Sequence, residues 1–358
     1  MKYFTLLLGI ILMLLTGCSH IGPKTVPRDR FDYNTSITNS WKEQALLNVV
    51  RLRYADVPLF VDVASVVSGY TLTSSVNLNG TVSSEAAIQG DFLSLGGAAQ
   101  YTDRPTITYA PISGERFTKN FLTPIPPKIF MFLLESGWSA EVVFPIVVNA
   151  VNGHRGQITT GKHARRGDPG YYRVVSLVQK MQNSGYFSMR IAKGKDKKET
   201  TLMFIYRDTM PPESLESLIE FEKLLGLRVS SNDFVVTYGV LPKTDLEIAL
   251  QTRSLLQMMI ILSFGIDVPA EHIAGGLALP PMIPPDSQEK TRHQHLKIHS
   301  ASDKPGDVFI SVRYKDYWFW IDDGDFLSKR IFTFMMILSS LLESGSEAGL
   351  PMVTIPSG

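Results

Sequence analysis

The sequence predicts an α+β fold with a mixed or largely antiparallel sheet and packed helices. Strand-like and helix-like segments interleave along the chain, yet the regular βαβ spacing of a doubly wound parallel sheet is missing. Hydrophobic residues make up 44% of the 358 positions and charged residues 19%, enough to surround a substantial core. A third observation is an internal echo. Thr108-Tyr109 recurs as Thr237-Tyr238 at an offset of 129 residues, and Phe121-Leu122-Thr123 faces Leu250-Gln251-Thr252 at the same offset. It raises an internally duplicated strand–helix unit, whose two strands would share one sheet.

Taken in chain order, Met1-Lys2 is a short basic start, and residues 3–15 are an apolar run broken only by Thr5 and Gly9. Thirteen helical residues reach roughly 20 Å, short of the ~30 Å hydrocarbon core, so a signal peptide fits better than a membrane-spanning helix. Residues 20–38 read as a tether, with Pro23, Pro27 and alternating charges. Ser40-Trp41-Lys42-Glu43 has capping-box spacing and predicts a helix over about 41–54, with Leu46, Val49 and Val50 on its apolar stripe. Residues 60–67 read as a strand.

From 68 to 100 the composition turns to Gly, Ser, Thr and Asn. Leu72, Ser74, Val76 and Leu78 share one strand face, and Asn79-Gly80 predicts a type I′ turn. Such a low-charge segment could add an edge strand to a partner or pack as a loop on its own domain. Farther on, strands are predicted at 106–110, 142–150, 187–192, 201–207, 234–238 and 308–321. Helices are predicted at 127–137, 171–182, 212–225, 246–263 and 326–343, the last apolar on most sides and therefore central.

Candidate chemistry is sparse. Lys plus Arg number 35 against 34 Asp plus Glu, which gives no case for a nucleic-acid partner. A single cysteine excludes an internal disulfide and cysteine-rich metal sites. Ser287-Gln288-Glu289-Lys290 matches Ser-x-x-Lys, but in a Pro-rich polar stretch and without the partner motifs of that chemistry. His293, His295 and His299 are the best metal candidates, opposed by the neighbouring cations Lys290, Arg292 and Lys297, so a polar loop is the preferred reading. Asp322-Asp323-Gly324-Asp325 could collect a cation or cap the helix that follows, and capping is preferred. In Tyr317-Trp318-Phe319-Trp320, alternation puts Tyr317 and Phe319 on one face and the tryptophans on the other. The basic run Gly161 to Asp168 reads as a solvated loop, and residues 193–198 as a hairpin turn. No catalytic, cofactor-binding or metal-ligating residue is assigned.

The stretch Leu15-Thr16-Gly17-Cys18 resembles the lipobox of bacterial lipoproteins. That resemblance implies acylation of Cys18 and removal of residues 1–17. Ser19, rather than Asp, follows the cysteine and implies the outer membrane, with the body on its periplasmic face. The mature chain resembles an uncharacterised group of Gram-negative lipoproteins through Trp41-Lys42-Glu43-Gln44, Arg53-Tyr54-Ala55-Asp56, Leu122-Thr123-Pro124-Ile125-Pro126-Pro127 and Thr252-Arg253-Ser254-Leu255-Leu256. The organisation expected is a signal peptide (1–17), an acylated tether (18–38), a helix with a Gly/Ser/Thr/Asn-rich β or loop region (39–104), a main α+β body (105–345) and a tail (346–358). The expected role is non-enzymatic binding or envelope assembly, with membrane lipid as one partner and an envelope protein as another. A cell-envelope hydrolase and a periplasmic ligand-binding lipoprotein are the alternatives.

Overall fold

The computed structural model describes residues 21–67, 70–81, 92–103, 106–157, 166–193, 199–280 and 296–343. The fold is α+β. The chain divides into two compact units: one holds the leading helix and everything from Ser113 onward to Gly345, and the other is built around Phe60–Ile112.

In the first unit, helix α1 runs from Ile21 to Arg53, starting well before the capping box read at Ser40. Ser40 therefore lies inside a helix, and most of the residues read as a tether are helical. Among the described side chains of α1, only those in its last turns are buried. Leu46, Val49 and Val50 are fully enclosed, whereas Phe31 is 70% exposed. That end packs against β12 (Ile310–Tyr314) and α7 (Leu255–Ser263).

The centre of this unit is a six-stranded sheet. It uses β5 (Val148–Val151), β6 (His154–Arg155), β7 (Phe187–Lys193), β8 (Glu199–Ile205), β9 (Asp233–Tyr238) and β10 (Glu247–Thr252), in the order β6-β5-β10-β9-β8-β7. Only β9 and β10 run parallel, so the sheet is mixed and mostly antiparallel. Helices α5 (Pro169–Ser184) and α6 (Pro212–Leu225) pack on each other. Each ends in a glycine with positive φ, Gly185 at 69° and Gly226 at 65°, the left-handed conformation that stops a helix cleanly.

Two predicted elements change type. Residues 142–150 were expected as one strand, but Ala140–Val147 forms α4 and only then does β5 begin. The valines favour a strand locally; tertiary capping overrides them. Ala140 N donates to Gln182 Oε1 and Glu141 N to Gln179 Oε1, so two amides of α5 satisfy the first N–H groups of α4. Residues 246–263 were expected as one helix, but β10 occupies the first half. Ser254 then starts α7 with a capping box, accepting from Gln257 N while Gln257 Oε1 accepts from Ser254 N.

A smaller sheet, in the order β11-β13-β12, joins β11 (His299–Ala301), β12 and β13 (Tyr317–Ile321). The run 308–321, read as one strand, is a hairpin because Lys315 and Asp316 both take positive φ, 46° and 66°, the geometry of a type I′ turn. Helix α9, Phe326–Glu343, buries Ile331, Phe332, Phe334, Met335 and Leu338, while Ile337 and Leu341 are 41% and 46% exposed. It is amphipathic, correcting the expectation of a helix enclosed on most sides.

The echo is not matched by equivalent structure. Thr108-Tyr109 lies in a two-stranded ladder of the second unit and Thr237-Tyr238 in the six-stranded sheet. Phe121-Leu122 belongs to a π-helical turn, whereas Leu250-Gln251-Thr252 is strand. The two strands of the supposed repeat do not share a sheet.

Candidate functional site

The second unit is a long β-ribbon. Strand β1 (Val61–Val67) pairs antiparallel with β4 (Thr106–Pro111), and β2 (Tyr70–Thr81) pairs antiparallel with β3 (Phe92–Asp103). At its foot Ile112 N donates to Phe60 O at 2.9 Å, which brings the two chain ends of the ribbon together. A shift in register between Val63 and Ser65 bends the β1–β4 ladder.

The upper ladder is regular over its whole length. Leu72 faces Tyr101, Ser74 faces Ala99, Val76 faces Gly97 and Leu78 faces Leu95; between them Thr73 faces Gln100, Ser75 faces Ala98 and Asn77 faces Gly96. Because alternate positions lie on opposite faces, the first set makes a mainly apolar row and the second a polar row. Thr73, Ser75, Asn77, Asn79, Ala98 and Gln100 are exposed. Asn79-Gly80, read as the turn, is inside β2, paired with Ser94 and Leu93. The alternation continues through Gly80-Thr81, so pairing wins over the local turn preference.

Two properties make this ribbon a candidate contact surface. Among the described residues β2 and β3 pair only with each other, so each keeps an outer edge on which every second residue offers its N–H and C=O. Neither strand carries a charge before Asp103, so the ribbon lacks the edge lysines and inward charges by which sheets discourage strand addition. The partner-binding segment read in the sequence at 68–100 falls on this ribbon, with residues 68–69 and 82–91 outside the described set.

The polar clusters described in the first unit tie its elements together. The Arg53-Tyr54-Ala55-Asp56 stretch closes the end of α1. Arg53 Nη2 donates to Leu279 O at 2.6 Å, Tyr54 Oη lies 2.8 Å from His272 Nδ1, and Tyr314 Oη donates to Asp56 Oδ2 at 2.8 Å. Burial pushes the Tyr54 hydroxyl up to about 12. Burial and the Asp56 carboxylate push Tyr314 up to about 12 as well, and in return the Tyr314 bond holds Asp56 below its ordinary value. Tyr314, kept protonated against the Asp56 carboxylate, and Tyr54, bonded to His272, form a fixed hydrogen-bonded clasp.

Arg253 is a second lock. Its Nη1 donates to the carbonyls of Pro145 (2.8 Å) and Ile146 (3.3 Å) in the last turn of α4 and of Val148 (2.9 Å), where β5 begins. Burial pushes its pKa down and the nearby Tyr171 opposes that shift. Tyr171 Oη donates to Val148 O at 2.6 Å, and burial raises its pKa. A buried ion pair joins Arg207 to Glu222, whose side chain is wholly enclosed and whose Oε2 has no hydrogen-bond partner.

Asp325 caps α9, its Oδ1 accepting from Ser328 N at 3.0 Å and its Oδ2 from Ser328 Oγ at 2.6 Å. Asp322 Oδ1 accepts from Gly324 N and Asp323 pairs with Lys329 Nζ, so this carboxylate group is spent on helix and turn. His299 sits 3.6 Å from Asp267 with its ring stacked on Trp320, and Lys304 lies over Trp318. The tryptophan face is thus covered from within the unit. His293, His295 and the Ser287–Lys290 motif lie outside the described residues, as do Cys18 and most of the basic run from Gly161. Among the described residues no three His, Cys, Asp or Glu side chains could hold one metal ion. No helix of the described residues is long and apolar enough to cross a membrane.

No protein-family model, curated protein or solved structure matches this chain.

Proposed function

We propose that this protein is a lipid-anchored envelope protein that works by assembly, with Cys18 as its acylated anchor and the β-ribbon as its contact surface. The observation that carries the reading is the ribbon itself: an uncharged antiparallel pair, twelve residues to a strand, with both outer edges open among the described residues. Added strands would satisfy those edges by main-chain hydrogen bonds, the mode in which backbone gives affinity and alternate side chains give specificity. The anchor supports it by locating the ribbon. Acyl chains contribute about 0.8 kcal/mol per buried methylene, so several chains hold the protein at the outer membrane, facing the periplasm.

The test combines location with contact. Cys18→Ser should move the protein from the membrane fraction to an unprocessed or soluble pool. A photo-activated crosslinker placed at Thr73 or Gln100 should give discrete adducts in the wild-type envelope and few in the C18S background. Membrane association unchanged by C18S, together with an intact N-terminus by mass spectrometry, would overturn the anchor. Crosslinks confined to the chain's own first unit would overturn the contact surface.

A further inference from the structure

The position of charge along the ribbon is more specific than assembly alone requires. Strand β2 is uncharged throughout, and the first charges beyond it in the sequence are Glu85 and Asp91. Strand β3 is uncharged until Asp103. Along the ladder, eleven successive pairs, Thr71–Thr81 against Phe92–Thr102, carry no charge, with Asp103 opposite Tyr70 at one end and Asp91 next in sequence at the other; on the first strand the charge-free run continues back to Val63. At roughly 3.3 Å per residue, eleven residues extend about 36 Å, and at a tilt of about 40° they rise about 28 Å, close to the ~30 Å thickness of a bilayer's hydrocarbon core.

The two faces differ as a membrane wall requires. One row carries Leu72, Val76, Leu78, Leu93 and Leu95 with the small residues Ser74, Gly80, Gly97 and Ala99 between them, and ends at Tyr70, Tyr101 and Asp103, where aromatic and charged residues mark the interface in membrane barrels. The other row carries Thr71, Thr73, Ser75, Asn77, Asn79 and Thr81 opposite Thr102, Gln100, Ala98, Gly96, Ser94 and Phe92, polar but for Phe92 at its end and the small Ala98 and Gly96. A soluble edge strand has no need of a charge-free length matched to a bilayer. An isolated two-stranded ribbon is also marginal in water, so it needs more strands.

We infer that the ribbon is one protomer's share of a membrane-spanning β-barrel, closed by further copies of this same chain. The inference rests on the assembly reading above and names the partner. Joining the outer edge of β2 in one copy to the outer edge of β3 in the next keeps every neighbour antiparallel and gives an even number of strands. It is a head-to-tail contact, the kind that closes into a ring. The apolar row faces lipid and the polar row lines the lumen, making the product a water-filled pore. Closure leaves no strand edge open, which is how barrels remove the liability of an unprotected edge.

The experiment uses the full-length acylated protein extracted in detergent. A photo-activated crosslinker at Ser75 should give adducts at whole-number multiples of the chain's own mass. The extracted protein should conduct ions across a planar lipid bilayer. Two neighbouring substitutions then separate the faces. Val76→Arg sets a charge on the lipid row and should lower the yield of inserted channels by about 30-fold or more. Asn77→Arg sets the same charge in the lumen and should keep channel yield while shifting selectivity toward anions. Unchanged melting of the first unit in both variants excludes general misfolding. Adducts of another mass would overturn the self-assembled barrel but leave the assembly reading standing; no adducts at all would overturn both. Equal effects of V76R and N77R would overturn the membrane-facing assignment.

Discussion

If the ribbon is dispensable to the first unit, cutting it out should leave that unit folded and slightly more stable. The perturbation is a deletion of residues 61–111 with Phe60 and Ile112 joined through a two-residue turn, which their 2.9 Å backbone hydrogen bond makes geometrically feasible. Closing a loop costs about 0.6 kcal/mol per doubling of its length, so replacing about fifty residues by a two-residue turn removes at most about 3 kcal/mol of that cost. It is an upper bound, since a paired ribbon already holds its two ends together. Spread over a large unit, a gain of that size raises the melting temperature by about 6 °C or less. Calorimetry on the two proteins, with amide hydrogen exchange across β5, β8, β9 and β10, measures it. A fall of many degrees, or loss of exchange protection in the six-stranded sheet, would refute the division into independent units.

Three further outcomes follow from the first unit. Phe334 is fully buried against Trp138, with ring centroids 4.9 Å apart, so Phe334→Ala should cost about 3–5 kcal/mol, whereas Ile337→Ala, on the exposed stripe of the same helix, should stay within about 0.5 kcal/mol; denaturant melts compare them. Burial alone would raise Asp325, but the Ser328 bonds outweigh it and hold it below its ordinary 3.8, so its cap contributes stability above that pH and loses it on acidification. Asp325→Ala should cost about 0.5–2 kcal/mol at neutral pH, and the difference should shrink as the pH falls through the depressed value. Burial pushes the Glu222 carboxyl above its ordinary 4.5 despite Arg207, so the folded state binds its proton more tightly than the unfolded state does. Its contribution is complete below pH 4.5 and is lost as the pH rises through the folded value, so wild type should lose stability relative to Glu222→Gln over that rise. A wild-type advantage that grows with pH would contradict the sign.

Where local signals agreed with tertiary context, the sequence located elements closely. Helix α6 begins at Pro212 and ends before Gly226, and α9 begins behind Asp325, because proline, glycine and aspartate act through short-range geometry. The α+β class followed from the interleaving of two periodicities, which needs no knowledge of neighbours. The proposed acylation of Cys18 likewise rests on a local pattern, an apolar run followed by small residues. The alternation at 72–78 was also legible, and it marks the ribbon as the candidate site.

Tertiary structure decided the rest. The valines of 142–147 became helix because Gln179 and Gln182, far along the chain, reach their amides. The run from 247 became strand because β5 and β9 offered ladders on both sides. Asn79-Gly80 could turn by itself but was held in strand by Ser94 and Leu93, so the ribbon proved longer than its turn signal implied. Arg253 and Asp56 found partners that no spacing rule connects to them. Caps, turns and alternation act over a few residues and can be read from one segment. Ladders, amide caps and buried cations depend on which distant segment arrives beside them, and only the folded chain specifies that.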